Sequence, residues 1–105
     1  MTYRLFLDDE RFPPEGCDTL VARSYYQFVN TILTRGLPRY ISFDHDLGVG
    51  KTGLDCAKWL ADYCMDHKLE PTFEVYVHSQ NPVGKANIES FFSSFKKNYP
   101  VDGCG

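Results

Sequence analysis

The chain has 105 residues, of which 43% are hydrophobic, 15% aromatic and 24% charged, with a net charge of −3 at pH 7. That length provides for one core and excludes two independent ones, and the apolar content excludes an intrinsically disordered chain. The acidic balance excludes general DNA binding by bulk positive charge and leaves only a local basic site open.

Tyr3 to Leu7 reads as a short strand stopped by Asp8-Asp9-Glu10. Residues 11–18 form a loop, because Pro13, Pro14 and Gly16 break regular structure. Thr19 to Ala22 is a second strand. Ser24 then caps a helix whose apolar stripe is Tyr25, Phe28, Val29, Ile32 and Leu33, ended by Gly36 and Pro38. Tyr40 to Phe43 is a third strand, stopped by Asp44-His45-Asp46 and followed by a loop to Lys51. Thr52 caps a second helix with the stripe Leu54, Ala57, Leu60, Ala61, Cys64 and Met65, and Pro71 bars its continuation. Phe73 to Val77 is a fourth strand, with Phe73, Val75 and Val77 in phase. Asn81 and Pro82 then fit the cap and first position of a last helix, whose stripe is Ile88, Phe91, Phe92, Phe95 and Tyr99. Residues 100–105 read as a frayed tail of a single domain spanning 1–105. Strands alternating with helices imply a parallel sheet of about four strands covered by helices.

Four cysteines are present, and none stands in a zinc-type spacing. Cys56 and Cys64 lie too far apart along one helix for a disulfide, so reduced thiols are expected, with these two serving as packing. No apolar run is long enough to span a bilayer, so no membrane contact is expected. The opening Met1-Thr2-Tyr3-Arg4 carries no secretory pattern, which places the expectation in the cytoplasm.

The chemistry gathers where the strands end. Three of them finish in Asp8-Asp9-Glu10, Asp44-His45-Asp46 and His78-Ser79-Gln80-Asn81. In an open parallel sheet these carboxyl ends share one edge, which is where ligands bind. Carboxylates crowded there resist full ionisation, and a hard divalent cation removes that penalty. A Mg²⁺ or Mn²⁺ site is therefore expected from Asp8, Asp9 and one or both of Asp44 and Asp46, although acids after strands also simply cap turns. His78 is the candidate for proton transfer or for a hydrogen bond to phosphate. For His45 three roles are open: metal ligand, acid–base group or hydrogen-bonded spacer. Strand alternation points it away from the side used by Asp44 and Asp46. Ser79 and Asn81 at a helix start suit an anion and equally suit capping. Arg11 and Lys51 are the nearest cations in sequence that could hold phosphate. His67, late in a helix, reads as a solvated residue near the helix C-terminal dipole.

Three strings in order carry a resemblance: Leu5-Phe6-Leu7-Asp8-Asp9-Glu10-Arg11, Ile41-Ser42-Phe43-Asp44-His45-Asp46-Leu47-Gly48 with Thr52-Gly53, and Val77-His78-Ser79-Gln80-Asn81-Pro82. Over roughly residues 3 to 95 the chain resembles the cyclic-phosphate processing family, a divergent relative of response-regulator receiver domains. The resemblance implies a small flavodoxin-like, three-layer α/β fold of about four parallel strands and three helices, with the first helix and fifth strand missing or degenerate. It implies that Asp8 and Asp9 are a magnesium-binding pair, that Asp44 or Asp46 holds the receiver phosphoacceptor position, and that Ser79 matches the receiver hydroxyl. His45, His78 and Asn81 are then the additions that mark the cyclic-phosphate family. The function expected first is a divalent-metal-dependent phosphoesterase acting on a cyclic phosphate, such as a cyclic nucleotide or an RNA-end cyclic phosphate, with Asp44 or Asp46 as a nucleophile in one variant. The alternatives are a non-catalytic, Mg²⁺-dependent phosphate-binding module, a small interaction or inhibitor protein whose protein partner stays open, and an atypical phosphoacceptor receiver domain.

Overall fold

A computed structural model describes residues 3–11, 18–47 and 50–99. The proline-rich stretch at 12–17, Gly48, Cys17, Cys104 and the tail at 100–105 lie outside the described residues. The elements run β1 (Arg4–Leu7), β2 (Thr19–Ala22), α1 (Tyr25–Arg35), β3 (Tyr40–Phe43), α2 (Gly53–His67), β4 (Glu74–Val77) and α3 (Pro82–Asn98). The order is the one the sequence predicts, with β1 and β4 each starting one residue later than their apolar runs.

The strands form one parallel sheet in the order β2-β1-β3-β4. This is a small flavodoxin-like, receiver-type α/β fold, and the described residues supply no fifth strand. Among the described residues no helix stands between β1 and β2, and the connections that are described set the layers. Crossovers of this kind are right-handed, and β2 to β3 and β3 to β4 both run in the same direction across the sheet, so α1 and α2 share a face. α1 packs on α2 and α2 on α3, and all three contribute to one core. A helix between β1 and β2 would cover the opposite face, and residues 12–17 of that connection lie outside the described residues. The three described helices therefore lie on one face of the sheet.

The core lies between the sheet and the helices. Leu5, Leu7, Ile41, Phe43 and Val77 meet Phe28, Ile32, Leu60, Ile88 and Phe92, all nearly inaccessible to solvent. Two stripe residues fall outside it. Leu33 is 60% exposed and Met65 is 38% exposed, because each sits one helical step of about 100° past a buried neighbour, Ile32 or Cys64. Cys56 takes a place in the α2 stripe instead, in phase with Leu60 and Cys64. Both cysteines are free and buried, and burial pushes their thiols up to about 12 and about 11, far from nucleophilic.

The helix starts follow the predicted caps. Ser24 Oγ accepts the Gln27 N–H, Thr52 and Asp55 form a capping box, and Asn81 Oδ1 accepts from Val83 and Gly84. No helix among the described residues is long and apolar enough to cross a membrane.

Candidate metal and phosphate site

Parallel register aligns Phe6 with Ser42 and Ser42 with Tyr76. The pairing continues just past the strands: Asp8 N–H donates to Ala22, Asp44 N–H to Leu7 and His78 N–H to Phe43. Side chains two residues apart share a face, so Asp8, Asp44 and His78 follow Phe6, Ser42 and Tyr76 on the side away from the helices. Each of the three offers a ligand atom, and these atoms lie within 4.8 Å of one another.

Asp8 is only 1% exposed. Its Oδ1 accepts the backbone N–H groups of Glu10 and Arg11, both at 2.9 Å, which closes the turn after β1. Its Oδ2 lies 2.9 Å from His78 Nε2. Burial works to raise the Asp8 carboxyl, but the Arg11 and Glu10 amides and His78 outweigh it, and the group sits below its ordinary range. Asp44 is opposite in sign. Burial pushes its carboxyl up, and the Asp8 charge pushes it further.

The His78 ring lies parallel to Phe6, with centroids 4.6 Å apart, and its Nδ1 is 2.6 Å from Ser42 Oγ. The Ser42 hydroxyl suits either ring state, since it donates to a bare Nδ1 and accepts from a protonated one. A carboxylate oxygen and an imidazole nitrogen as close as Asp8 Oδ2 and His78 Nε2 need a positive centre between them. A proton or a metal cation both meet that need. Two carboxylate oxygens and one nitrogen are a hard donor set, and the imidazole shifts its preference from Mg²⁺ toward Mn²⁺.

Asp9 and Asp46 are exposed and stand outside the three-residue group, although the Asp9 charge still acts on Asp44. The sequence left Asp44 and Asp46 unresolved, and it is Asp44, the first residue after β3, that lies beside Asp8 and His78. His45 points the other way, as strand alternation requires. Its ring packs on the first turn of α3, where a Cβ on Gly84 would come within 2.3 Å of His45 Cγ. Its Nδ1 is buried without a hydrogen-bond partner among the described residues. On the other flank, Gly53 N–H donates to the His45 carbonyl at 2.8 Å, and a Cβ on Gly53 would lie 2.0 Å from the Asp44 carbonyl oxygen. Two glycines thus let α2 and α3 close on the Asp44-His45 turn.

Ser79 Oγ accepts the Asn81 N–H, and Asn81 caps α3, so both side chains serve local structure at the site's border. Arg11 acts through its backbone: its N–H meets Asp8, and its carbonyl accepts from Arg23 Nη1. Lys51 Nζ lies over the Tyr25 ring at 5.2 Å. His67 is exposed and rests against Tyr63.

Sequence reasoning missed Ser42, Phe6 and Arg23. Arg23 Nη1 donates to the Asp8 carbonyl at 3.2 Å as well as to that of Arg11, tying the β1 turn to the end of β2. One signal was available for Ser42: a lone hydroxyl in an apolar strand, two residues before Asp44 and hence on its face. No curated relative and no solved structure matches the chain. The family comparison does, over residues 3–94, and the chain belongs to the family of the cyclic-phosphate processing receiver domain.

Proposed function

We propose that the protein is a divalent-metal-dependent phosphoesterase that opens a cyclic phosphate at the carboxyl edge of its sheet. The observation that carries this reading is the convergence of Asp8, Asp44 and His78 from three strand ends, in a chain of the cyclic-phosphate processing family. Asp8 and Asp44 would hold Mn²⁺ or Mg²⁺ through carboxylate oxygens, with His78 Nε2 as the third donor. A ligating imidazole ordinarily has its other nitrogen fixed by a hydrogen bond, and Ser42 stands in that position. A bound cation would neutralise phosphate charge and activate water for attack.

The chain's own residues supply the rest. Phe6 and Ser42 fix the plane and direction of the His78 ring. The exposed carboxylates Asp9 and Asp46 remain available on the same rim to take the proton that the attacking water gives up and return it to the departing oxygen. The first turn of α3, capped by Asn81, borders the site with a partial positive charge that favours phosphate.

The test incubates the protein with Mn²⁺ or Mg²⁺ and a panel of 2′,3′-cyclic and 3′,5′-cyclic nucleotides. Metal-dependent product is expected, and it should disappear in Asp8→Asn, Asp44→Asn and His78→Ala. Cyclic nucleotide bound without product would replace the enzyme with a binding module. Stable labelling of Asp44 by acetyl phosphate would favour the phosphoacceptor instead.

A further inference from the structure

The sheet face away from the helices carries its side chains in rows, because the strands are parallel and in register. Phe6, Ser42 and Tyr76 form the row beneath Asp8, Asp44 and His78, and Arg4, Tyr40 and Glu74 form the row beneath that. Tyr76 stands two residues before His78 on one strand, so the two side chains leave the same face about 6.6 Å apart along the strand. Across the sheet Tyr76 pairs with Ser42, whose hydroxyl is 2.6 Å from His78 Nδ1.

His78 does not cover this neighbour. Its ring leans inward across β3, where it meets Ser42, Phe6 and Asp8. Phe6 and Ser42 are buried, whereas Tyr76 is 55% exposed. An aromatic ring on the last strand of the sheet is thereby left open on the same face as the metal-ligand group and next to it.

A flat, uncharged group joined to a phosphate through one sugar ring fits that spacing, and a tyrosine face stacks such a group whichever base it is. The lowest row decides how long the ligand is. Arg4 lies over the Tyr40 ring at 6.0 Å, and Glu74 stands beside Tyr40 in register. One cation and one anion cancel there. The row offers no positive track for further phosphates, which a single strand of nucleic acid needs.

We infer that Tyr76 is the platform on which the base of a single nucleoside phosphoester stacks when its phosphate lies at Asp8, Asp44 and His78. The inference rests on the phosphoesterase reading for the phosphate end only. It names the substrate class of that site: a mononucleotide, rather than a bare sugar phosphate or the end of an RNA chain.

Titrations in Mg²⁺ followed by amide NMR test it, with monophosphates that have no cyclic ester left to open. Adenosine 3′-monophosphate is compared with methyl riboside 3-phosphate, which has no base, and with a trinucleotide ending in a 3′-phosphate. The mononucleotide should bind about tenfold more tightly than the base-free ester, with shifts at Val75, Tyr76 and Val77. Tyr76→Ala should erase the difference, Tyr76→Phe should keep it, and the trinucleotide should bind no more tightly than the mononucleotide. Equal affinity for the two monophosphates, or a difference that survives Tyr76→Ala, would overturn the platform and leave the phosphoesterase standing. A trinucleotide whose advantage over the mononucleotide grows as salt falls would make an RNA end the ligand and overturn the single-nucleotide assignment. If neither monophosphate binds in Mg²⁺, the phosphate end of the reading fails, and adenosine alone decides the platform: shifts at Tyr76 that Tyr76→Ala removes uphold it, and their absence sinks it.

Discussion

Asp8 and Asp44 are neighbours with opposite titration behaviour, and each makes a signed prediction. Asp8 is held below its ordinary range, so its contribution to stability is full above the unfolded value of about 3.9 and is lost as pH falls through the folded value. Asp44 is held above its ordinary range by burial and by Asp8, so stability is lost as pH rises from the unfolded value through the folded one. Asp44→Asn should therefore raise the Tm of the metal-free protein at pH 7, most visibly above the ordinary carboxylate range, while abolishing its response to metal. A lower Tm at pH 7 would contradict the like-charge account. Ser42→Ala tests the next contact. It leaves His78 Nδ1 without its partner, at a cost of about 1–3 kcal/mol in urea unfolding. It should also change the tautomer balance of His78 seen by nitrogen NMR, an effect that lost packing alone would not produce. The sequence named Asp8, Asp44 and His78 within a wider set that also held Asp9, His45 and Asp46, because all of them follow apolar runs. It did not reveal Ser42 and Phe6, because their roles depend on a ring that reaches them from another strand.

At the scale of elements, the candidate site depends on how closely the helices approach the turn after β3. Gly84→Ala would drive a methyl group into the His45 ring, and overpacking of that kind costs about 1–3 kcal/mol. Combining it with His45→Ala frees the space, so the double variant should recover part of the loss, which urea unfolding of the four proteins measures. Gly53→Ala should be worse than Gly84→Ala. There the obstacle is the Asp44 carbonyl, a backbone atom with no alternative rotamer, and moving it draws Asp44 away from Asp8 and His78. The helices themselves were legible from local rules. Ser24, Thr52, Asn81 and Pro82 mark their starts, and apolar spacing marks their buried faces. The edges of those faces were less legible. Leu33 and Met65 fit the spacing but fall past the line of contact, and only the position of neighbouring elements sets that line.

For the whole molecule, the proposed metal site predicts a link between stability and metal. Crowding Asp8 and Asp44 destabilises the metal-free fold, and a cation that binds only the folded chain adds about 2.7 kcal/mol at a concentration 100 times its Kd. In a domain of this size that raises Tm on the order of 10 °C, which a thermal scan in Mn²⁺ against chelator would detect. Asp8→Asn and His78→Ala should flatten the response, whereas Asp9→Asn should keep most of it, since Asp9 lies outside the three-residue group. What the amino-acid order determined by itself was local: the strands and helices, their caps, and the fact that each of three strands ends in groups able to carry chemistry. The physical reason is that periodicity, capping and proline geometry act over a few residues. Tertiary structure alone decided that Asp44 joins Asp8 and His78 while Asp46 stays outside, that His45 turns to meet Gly84, and that the described helices leave one sheet face to Phe6, Ser42 and Tyr76. Those outcomes follow from strand register, crossover handedness and close contact between segments far apart in the chain, none of which acts within a short window of sequence.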